Sequence, residues 1–421
     1  MKIQEIHAVQ IFDSRGYPTL HVSVFTDKGD VGCASVPSGA SKGKREALEK
    51  RDGNPQEYEG KGVSSAVESI HQELRPLLLG SSLDDLTALD RKMCDADGTP
   101  NKARLGANVL LAISLASARA AALAAKKPLY RFLGKEQVRY ELPCPMVNVL
   151  NGGLHANNPL DLQEIMIRPR GAGSFREAMH WCAEIFYALR RLIQEQGWST
   201  SVGDEGGFAP PIVSWNEACA LVLMAIEAAK LRPWKDVTIA LDCAASSFFD
   251  EETKLYRTTK NPKIAPWTSE EQMEHLSALL VNYPIDSIED GMAETDELGW
   301  QLFTKQYSCC LQIVGDDLFV TNTALLANGV KKHLANAILL KPNQIGTLSE
   351  MFDCMHYAHK HHYQTILSHR SGETEDTFLA DLCVGAGIKQ IKAGSLSRSE
   401  RVAKYNRLLL IEDELQLHKL L

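Results

Sequence analysis

Six short apolar runs in the second half of the chain each end at a charged residue. The runs are VTIALD at Asp242, IDSIED at Glu289, LQIVGD at Asp316, AILLK at Lys341, TILSHR at His369 and Arg370, and QIK at Lys392. Three of these endings are carboxylates, which would crowd negative charge in one place. A hard divalent cation with oxygen ligands, such as Mg²⁺, compensates such charge. Alternatively, each acid caps a helix or pairs with a lysine or arginine.

Lys341 and Lys392 close two further runs of the same series. An ammonium that lies among other cations and a metal has a lowered pKa, so it can act as a base near neutral pH. A site made of carboxylates alone or of lysines alone would be electrostatically unstable, so the metal and the lysines support each other. The alternative is that each lysine is only a salt-bridge partner of the carboxylates.

A second set of acids lies upstream of these runs. The segment VGDEGGFAPP, residues 202–211, places Asp204 and Glu205 beside glycines, which let backbone approach a ligand closely. Glu205 and Glu164, in LQEIMI, make a carboxylate pair in which one pKa can be raised enough for a general acid. Alternatively, DEGG is a solvated turn. His155, in NGGLHANN, is either a hydrogen-bonded loop histidine or a substrate contact.

The segment SHRSGETED offers a site for an anionic group. Arg370 is followed there by Ser371 and a glycine, and this combination can clamp a phosphate or a carboxylate. The segment can equally be a surface loop that caps the next helix, with Glu373 and Glu375 in its first turn. PSGASKGKRE, near the N-terminus, lacks the spacing and the hydroxyl of a phosphate-binding loop, and we predict a mobile lid there. The motifs GxGxxG and HExxH are absent from the sequence.

The spacing of the six runs predicts the elements that must position these side chains. The last four intervals are 23 to 28 residues, and each fits one strand plus one crossover helix. In a parallel barrel the carboxyl ends of all strands lie on one face, so the six endings should converge on one pocket.

The N-terminal part has a different pattern. Strands are predicted at Ile3–Phe12, Thr19–Thr26 and Val31–Val36, and helical periodicity runs from Arg45 to about Ala125. Charge and two prolines then break the pattern. We therefore predict two domains, 1–136 and 137–421.

The composition is that of a folded protein without a basic face. The 421 residues include 45 Lys and Arg and 53 Asp and Glu, which gives a net charge of −8 and argues against nucleic-acid binding. Polar residues interrupt the longest apolar stretch, Leu105–Ala125, so no membrane span is expected, and the N-terminus has no apolar signal core. Because the ten cysteines form no CxxC pair, we expect buried, reduced thiols in a cytoplasmic protein.

Long strings along almost the whole chain resemble the enolase family. They run from DSRGYPT to SRSERVAKYN and include VPSGAS, NKARLGAN, NVLNGGLHA, VGDEGGFAP, SIED, VGDDLFVTN, NQIGTLSE and SHRSGETEDT. The resemblance implies an α/β fold, in which a small N-terminal α+β domain precedes an eight-fold, TIM-like α/β barrel whose first strands depart from strict alternation. It implies a hydro-lyase of glycolysis and gluconeogenesis that reversibly dehydrates 2-phosphoglycerate to phosphoenolpyruvate. A homodimer or a larger homo-oligomer is also implied.

The same resemblance implies a role for each site residue. The tightly held Mg²⁺ would have as ligands Asp242, Glu289 and Asp316. The second Mg²⁺, which binds with substrate, would be reached by the lid serine, Ser41. The catalytic groups would be the base Lys341, the acid Glu205 with Glu164 beside it, and Lys392, which faces the substrate carboxylate. The substrate contacts would be His155, Gln163, Glu164, His369, Arg370, Ser371 and Lys392.

Five positions depart from the strings that are usual in the family: Lys42, Ser247, Gly291, Pro342 and Ala393. Pro342 biases the preceding Lys341 toward extended backbone, and Gly291 loosens the strand end that carries Glu289. None of the expected metal or proton-carrying residues is lost. We therefore predict reduced turnover with intact Mg²⁺ binding.

Two other functions stay open at this point. Dehydratases and racemases of acid sugars in the wider superfamily share three barrel carboxylates, although they do not generally carry VGDEGGFAP or SHRSGETED. The second open function is a binding or scaffold role without catalysis, which includes a secondary presence at the cell surface. Its receptor version often relies on a C-terminal lysine, whereas this sequence ends in His418-Lys419-Leu420-Leu421.

Overall fold

The computed structural model describes residues 1–40, 43–134, 139–258, 260 and 264–418. The chain begins with a three-stranded antiparallel sheet, made in this order by β1 (Ile3–Phe12), β2 (Pro18–Thr26) and β3 (Val31–Ser35). Alternate residues of β2 are buried from Leu20 to Thr26, and Ile6 and Ala8 of β1 are buried on either side of an exposed His7. This alternation, which is typical of a sheet with one covered face, allowed the three strands to be predicted.

In the described residues of the N-terminal part, five α-helices follow the sheet: α1 (Ser64–Ser69), α2 (Arg75–Leu78), α3 (Leu86–Asp97), α4 (Ala107–Ala124) and α5 (Leu129–Leu133). A turn of 3₁₀-helix at Tyr58–Gly60 precedes them, and a π-helical turn at Ile70–Leu74 joins α1 to α2. The helix start expected at Arg45 is wrong, because residues 45–57 contain no helix. Gly53 has a left-handed φ of 71° and Pro55 follows closely, and both residues interrupt a helix.

Helix α4 fills the core of this part and packs against β2 and β3. The approach is so close that a Cβ on Gly32 of β3 would lie 2.2 Å from backbone atoms of Ala116 and Ala120. By length and composition alone, α4 is long and apolar enough to cross a membrane. The polar residues within Leu105–Ala125 are therefore not sufficient to exclude a membrane span. Because 83% of the helix is buried inside the protein, its apolar character is that of a core helix.

Eight strands close into a barrel. They are β4 (Cys144–Asn151), β5 (Glu164–Arg168), β6 (Thr238–Asp242), β9 (Ile285–Glu289), β10 (Gln312–Gly315), β11 (Ala337–Leu340), β12 (Gln364–Ser368) and β13 (Gln390–Lys392). A small hairpin, β7 (Phe249–Asp250) and β8 (Leu255–Tyr256), lies between β6 and β9. Strand β5 runs antiparallel to its neighbours β4 and β6, and the other barrel pairs are parallel. The predicted departure from strict alternation is therefore present.

Nine helices accompany the described part of the barrel: α6 (Phe175–Glu195), α7 (Trp215–Ala228), α8 (Ser269–Asn282), α9 (Glu297–Tyr307), α10 (Thr323–Lys332), α11 (Pro342–Ile345), α12 (Leu348–Lys360), α13 (Phe378–Gly385) and α14 (Ser399–Leu417). Six of the strands are those whose charged endings stood out in the sequence. Apolar side chains such as Met146, Met166 and Leu339 form a separate buried cluster. The small-domain-plus-barrel architecture expected from the sequence is confirmed.

The cysteines only partly follow the expectation of buried thiols. Among the cysteines, all of which lie in described residues, five are buried: Cys182, Cys219, Cys243, Cys354 and Cys383. Cys309 and Cys310 are exposed, because they lie in the turn after α9. The expectation is therefore wrong for this adjacent pair.

A partly buried ion pair connects α4 to the loop that precedes α13. The Arg119 guanidinium donates to both Asp376 oxygens, at 2.6 and 2.8 Å, and Asp376 also accepts from the backbone N–H groups of Ser35 and Phe378. Burial opposes ionisation of Asp376, but Arg119 lowers the pKa of this carboxyl below its ordinary value. The contribution of the pair to stability is therefore present above the unfolded-state pKa and is lost as the pH falls through the lower folded-state pKa.

We predict that Asp376→Asn lowers the free energy of unfolding at neutral pH by about 1–3 kcal/mol, because Arg119, whose side chain is 24% exposed, loses its carboxylate partner. Below the ordinary pKa of 3.8 the difference from the wild type should shrink, since the wild-type carboxylate also becomes protonated. Denaturant unfolding of both proteins at the two pH values measures this change. An unchanged difference at low pH would contradict the assignment.

Candidate functional site

The predicted charged residues converge at the carboxyl ends of adjacent barrel strands. Asp242 ends β6, Glu289 ends β9 and Asp316 directly follows β10. Lys341 follows β11 and Lys392 ends β13, so all five lie on one face of the barrel. Asp242, Glu289 and Lys392 are at most 3% exposed, while the side chains of Lys341 and Asp316 are 12% and 11% exposed.

Lys392 lies in the middle of three carboxylates. Its Nζ is 2.9 Å from Asp242 Oδ2, 3.0 Å from both oxygens of Glu289 and 3.1 Å from Glu164 Oε1. Burial alone would lower the pKa of Lys392, but the carboxylates raise it well above its usual value. The lowered lysine pKa expected from the sequence is therefore wrong here, because the nearest charges are anions.

The second lysine has the same kind of partner. Lys341 Nζ is 2.5 Å from Asp316 Oδ2, and Gln344 donates to the other oxygen of Asp316 at 2.9 Å. Burial would lower the pKa of Lys341, but Asp316 raises it. The structure thus places both lysines as salt-bridge partners, which was the alternative interpretation, and it keeps Lys341 protonated.

The carboxylates have the chemistry of a divalent cation site. Burial, and after it the charge of the neighbouring Asp242, raises the pKa of Glu289 well above its usual value, although Lys392 and Lys341 act in the opposite direction. Carboxylate oxygens alone form this donor set, and they suit a hard cation such as Mg²⁺. In the described residues, two groups bring three ligand atoms within 4.8 Å of one another: His155 with Glu164 and Glu205, and Asp290 with Asp316 and Asp317. Asp242, Glu289 and Asp316 do not form such a group, since Lys392 lies between the first two and Lys341 pairs with the third.

Glu164 and Glu205 form the predicted acid pair beside His155. The His155 Nδ1 lies 3.5 Å from Glu164 Oε1 and 3.6 Å from Glu205 Oε1, without a hydrogen bond to either. Burial and the charge of Glu205 raise the pKa of Glu164 well above its usual value. Although burial opposes it, the surrounding His369, His155 and Arg401 lower the pKa of Glu205. The two pKa values are therefore driven apart, with the raised value on Glu164.

The segment around Glu205 is not a solvated turn. Glu205 is 2% exposed, and its Oε2 accepts from Asn148 Nδ2 at 3.1 Å. Gly206 has a φ of 89°, and a Cβ there would lie 2.5 Å from the carbonyl oxygen of Ser397. Only glycine fits this conformation and this spacing, so the glycines allow Glu205 to enter the barrel mouth.

The loop after β12 carries Arg370 and Ser371, the residues for which anion contacts were predicted. The Arg370 guanidinium is buried and bonds Glu46 at 2.9 and 3.1 Å and Asn343 Oδ1 at 3.2 Å. Ser371 Oγ accepts from the backbone N–H of Ala40 at 2.6 Å, which fixes the start of the predicted lid to this loop. The alternative is wrong in placing Glu373 and Glu375 in the first turn of the next helix, because α13 begins at Phe378 and Glu373 is buried. Its capping part holds, since Asp376 accepts from the Phe378 N–H at 2.8 Å.

One polar cavity gathers most of these side chains. Its walls are His155, Gln163, Glu164, Glu205, Asp242, Lys341, Ser368, His369, Arg370, Ser371 and Lys392. Glu289 lies directly behind Lys392, and Asp316 behind Lys341. Gln163 donates to Asp242 at 3.4 Å, while its Oε1 has no hydrogen-bond partner among the described residues. Ser41 and Lys42 lie outside the described residues.

Sequence reasoning missed several side chains that complete the site. Asn148 interrupts the apolar run of β4, and this buried polar position was a usable signal. Glu46 pairs with Arg370, which lies 324 residues later in the sequence, and no local pattern predicts that contact. Arg401 of α14 contacts His369, and no local sequence pattern predicts this contact either.

Pro342 and Gly291 meet little strain in this structure. Lys341 has extended backbone, with φ −129° and ψ 103°, and Pro342 is the first residue of α11, where proline is tolerated. Gly291 has no left-handed φ, although a Cβ there would lie 3.0 Å from side-chain carbons of Ile288 and Leu276. The reduced turnover expected from these residues stays a prediction.

The prediction is tested by Pro342→Leu, with Mg²⁺ binding measured in parallel. If Pro342 limits turnover through the backbone of Lys341, kcat should rise a few-fold with unchanged Mg²⁺ affinity. An unchanged kcat in Pro342→Leu and in a companion Gly291→Pro variant would refute the prediction.

A closed barrel with acids and lysines at the carboxyl ends of its strands is the architecture of the α/β-barrel enzymes. The chain belongs to the enolase family: the model of the enolase N-terminal domain matches residues 3–133, and the model of the enolase C-terminal TIM barrel domain matches residues 139–419. Membership supports a lyase of the hydro-lyase type that acts on a small-molecule substrate. The family typically binds Mg²⁺, in agreement with the oxygen donors described above.

Proposed function

We propose that this protein catalyses the reversible dehydration of 2-phosphoglycerate to phosphoenolpyruvate, a step of glycolysis and gluconeogenesis. The observation that carries the proposal is one buried cavity that holds a lysine, an acid pair with separated pKa values and an Arg-Ser loop. Loss of water from a 2-phospho-3-hydroxy acid needs a base for the C2 proton, an acid for the C3 hydroxyl and cations for the carboxylate and phosphate. The cavity offers a side chain for each of these tasks.

Lys341 is the proposed base. Its amine would take the C2 proton, and the electron pair of the C2–H bond would move toward the substrate carboxylate. Lys341 must be neutral before it can accept the C2 proton. Asp316 stabilises the protonated form of Lys341, so its carboxylate has to pair with another positive group first. Its position at the end of β11, beside the other charged residues of the barrel mouth, allows that exchange of partners.

Glu205 is the proposed acid, and Glu164 shares its proton. The C3–O bond breaks as the pair gives a proton to the departing hydroxyl, which leaves as water. Two carboxylates this close cannot both be ionised at low cost, so the pair holds one proton ready for transfer. Asn148 donates to Glu205 and stabilises its carboxylate after the proton has left.

The remaining side chains would bind and orient the substrate. Lys392 would face the substrate carboxylate, while Arg370 and Ser371 would hold the phosphate. His155, Gln163 and His369 line the same cavity. With substrate bound, these groups would also limit the access of water, which would strengthen every charge interaction within the cavity.

The residues that would hold the tightly bound Mg²⁺ are Asp242, Glu289 and Asp316. When bound, Mg²⁺ supplies positive charge that stabilises the doubly negative carboxylate formed by loss of the C2 proton. A second Mg²⁺ with Ser41 among its ligands is part of the proposal. Assembly into a homodimer or larger homo-oligomer and a cytoplasmic location stay predictions.

A substrate panel tests the proposal against the acid-sugar enzymes of the wider superfamily. Purified protein with Mg²⁺ is offered 2-phosphoglycerate and a set of unphosphorylated sugar acids. The proposal predicts dehydration of 2-phosphoglycerate and no turnover of the sugar acids. The opposite pattern would transfer the assignment to an acid-sugar dehydratase or racemase.

A further inference from the structure

Arg401 is a fully buried arginine in the first turn of α14, and it contacts both loops that form the acid side of the cavity. Its Nη1 lies 2.6 Å from His369 Nδ1 and also donates to the Arg370 carbonyl oxygen. Its Nη2 donates to the carbonyl oxygens of Ser371, at 2.5 Å, and Asp204, at 3.2 Å. The guanidinium therefore holds the loop of His369 and the loop of Glu205 in one arrangement.

The contact with His369 decides where the imidazole proton is. A guanidinium has only donors and keeps its proton at all relevant pH values. The His369 Nδ1 atom must therefore accept, with a free lone pair, and the ring proton of the neutral imidazole must be on Nε2. Burial lowers the pKa of His369 to about 4, with Arg401 acting in the same direction, so the ring is neutral at pH 7.

The protonated nitrogen faces the acid pair. His369 Nε2 lies 3.3 Å from Glu205 Oε2, and in the described part of the chain it has no aligned hydrogen bond. An N–H in this place can donate to a carboxylate of Glu205 or to a substrate oxygen. With the opposite tautomer, a lone pair would face Glu205 and would compete for the proton that the pair must deliver.

We propose that Arg401 is a positioning residue that fixes His369 as the Nε2–H tautomer and thereby keeps it a hydrogen-bond donor toward Glu205. This inference rests on the proposed function only in its kinetic part, where Glu205 acts as the acid. Arg401 itself touches no reacting atom, and its effect on turnover passes through His369.

The tautomer is measured by NMR of ¹⁵N-histidine-labelled protein at neutral pH, with the His369 signals assigned by their loss in His369→Gln. The wild type should show an unprotonated Nδ1 and a protonated Nε2. Arg401→Lys keeps a side chain that can only donate, so it should keep this tautomer. Arg401→Gln can accept from an Nδ1–H, so a population with protonated Nδ1 should appear.

Kinetics with 2-phosphoglycerate separates positioning from plain structural support. Arg401→Gln should lower kcat by about 10²-fold with a smaller change in KM, and Arg401→Lys should recover most of that loss. Arg407→Gln is the matched control on the same helix, since Arg407 pairs with Asp381 and Glu414. It should keep the wild-type tautomer and turnover.

A wild-type His369 that is protonated on Nδ1, or on both nitrogens, would overturn the inference. So would equal losses of kcat in both Arg401 variants with the tautomer unchanged, because that result describes a structural role alone. If the wild type does not turn over 2-phosphoglycerate, the proposed function fails, while the tautomer assignment is still decided by the spectra.

Discussion

Lys341→Ala should lower kcat for 2-phosphoglycerate by about 10²- to 10⁴-fold, the range that a positioned general base contributes. The variant keeps the other side chains of the cavity wall, Arg370 among them, so KM should change much less than kcat. Exchange of the substrate C2 hydrogen with solvent deuterium should also disappear, because the group that takes this proton is gone. Steady-state kinetics and mass spectrometry of recovered substrate measure the two effects.

Lys332→Ala is the control for this variant. Lys332 lies in the last turn of α10 and pairs with Glu297 at 2.6 Å in a half-exposed position, away from the cavity. Turnover of 2-phosphoglycerate should be unchanged in Lys332→Ala. Since Lys341→Ala also leaves Asp316 without its ion pair, unfolding of both variants is compared first. C2 exchange at the wild-type rate in folded Lys341→Ala would show that another group is the base.

Lys392→Met should be the most destabilising of the site substitutions. The ammonium compensates Asp242, Glu289 and Glu164 at 2.9 to 3.1 Å in a fully buried position. Its removal leaves uncompensated buried carboxylates, at a cost of about 3–5 kcal/mol in the free energy of unfolding. Methionine keeps most of the volume, so loss of charge dominates the effect over loss of packing.

Magnesium should oppose this destabilisation. A cation that binds the native carboxylates and not the unfolded chain adds stability with increasing concentration, and the gain should be larger in Lys392→Met than in the wild type. Lys389→Met is the matched control three residues upstream, where the lysine is exposed and pairs with Glu141. If the stability of Lys392→Met did not respond to Mg²⁺ or to any other divalent cation, the carboxylates would not form the proposed site.

Much of the architecture was predictable because it is encoded locally. A parallel strand that is buried on both faces is a short apolar run, and the charged residue at its end has to lie at the barrel mouth. This local pattern predicts that Asp242, Glu289, Asp316, Lys341 and Lys392 lie on one face, and they do. Strands β4 and β5 were not found in this way, since β5 runs antiparallel and Glu164 begins the strand instead of ending it.

The electrostatics of the site could not be read from the sequence. Whether a lysine pKa rises or falls depends on which charges lie nearest in space, and Lys341 meets Asp316 where cations had been expected. The same holds for Arg401 and for the pairing of Arg370 with Glu46, because side chains far apart in sequence make these contacts. Local patterns identified the acids and bases, and the fold decides which of them holds a proton.

The central claim is that this barrel mouth converts 2-phosphoglycerate to phosphoenolpyruvate with Mg²⁺. The most direct test adds 2-phosphoglycerate to the purified wild-type protein, with and without Mg²⁺, and follows phosphoenolpyruvate by its ultraviolet absorbance. The account predicts product that appears only with Mg²⁺ and stops when the metal is chelated. A folded protein that binds Mg²⁺ and yields no phosphoenolpyruvate would contradict it.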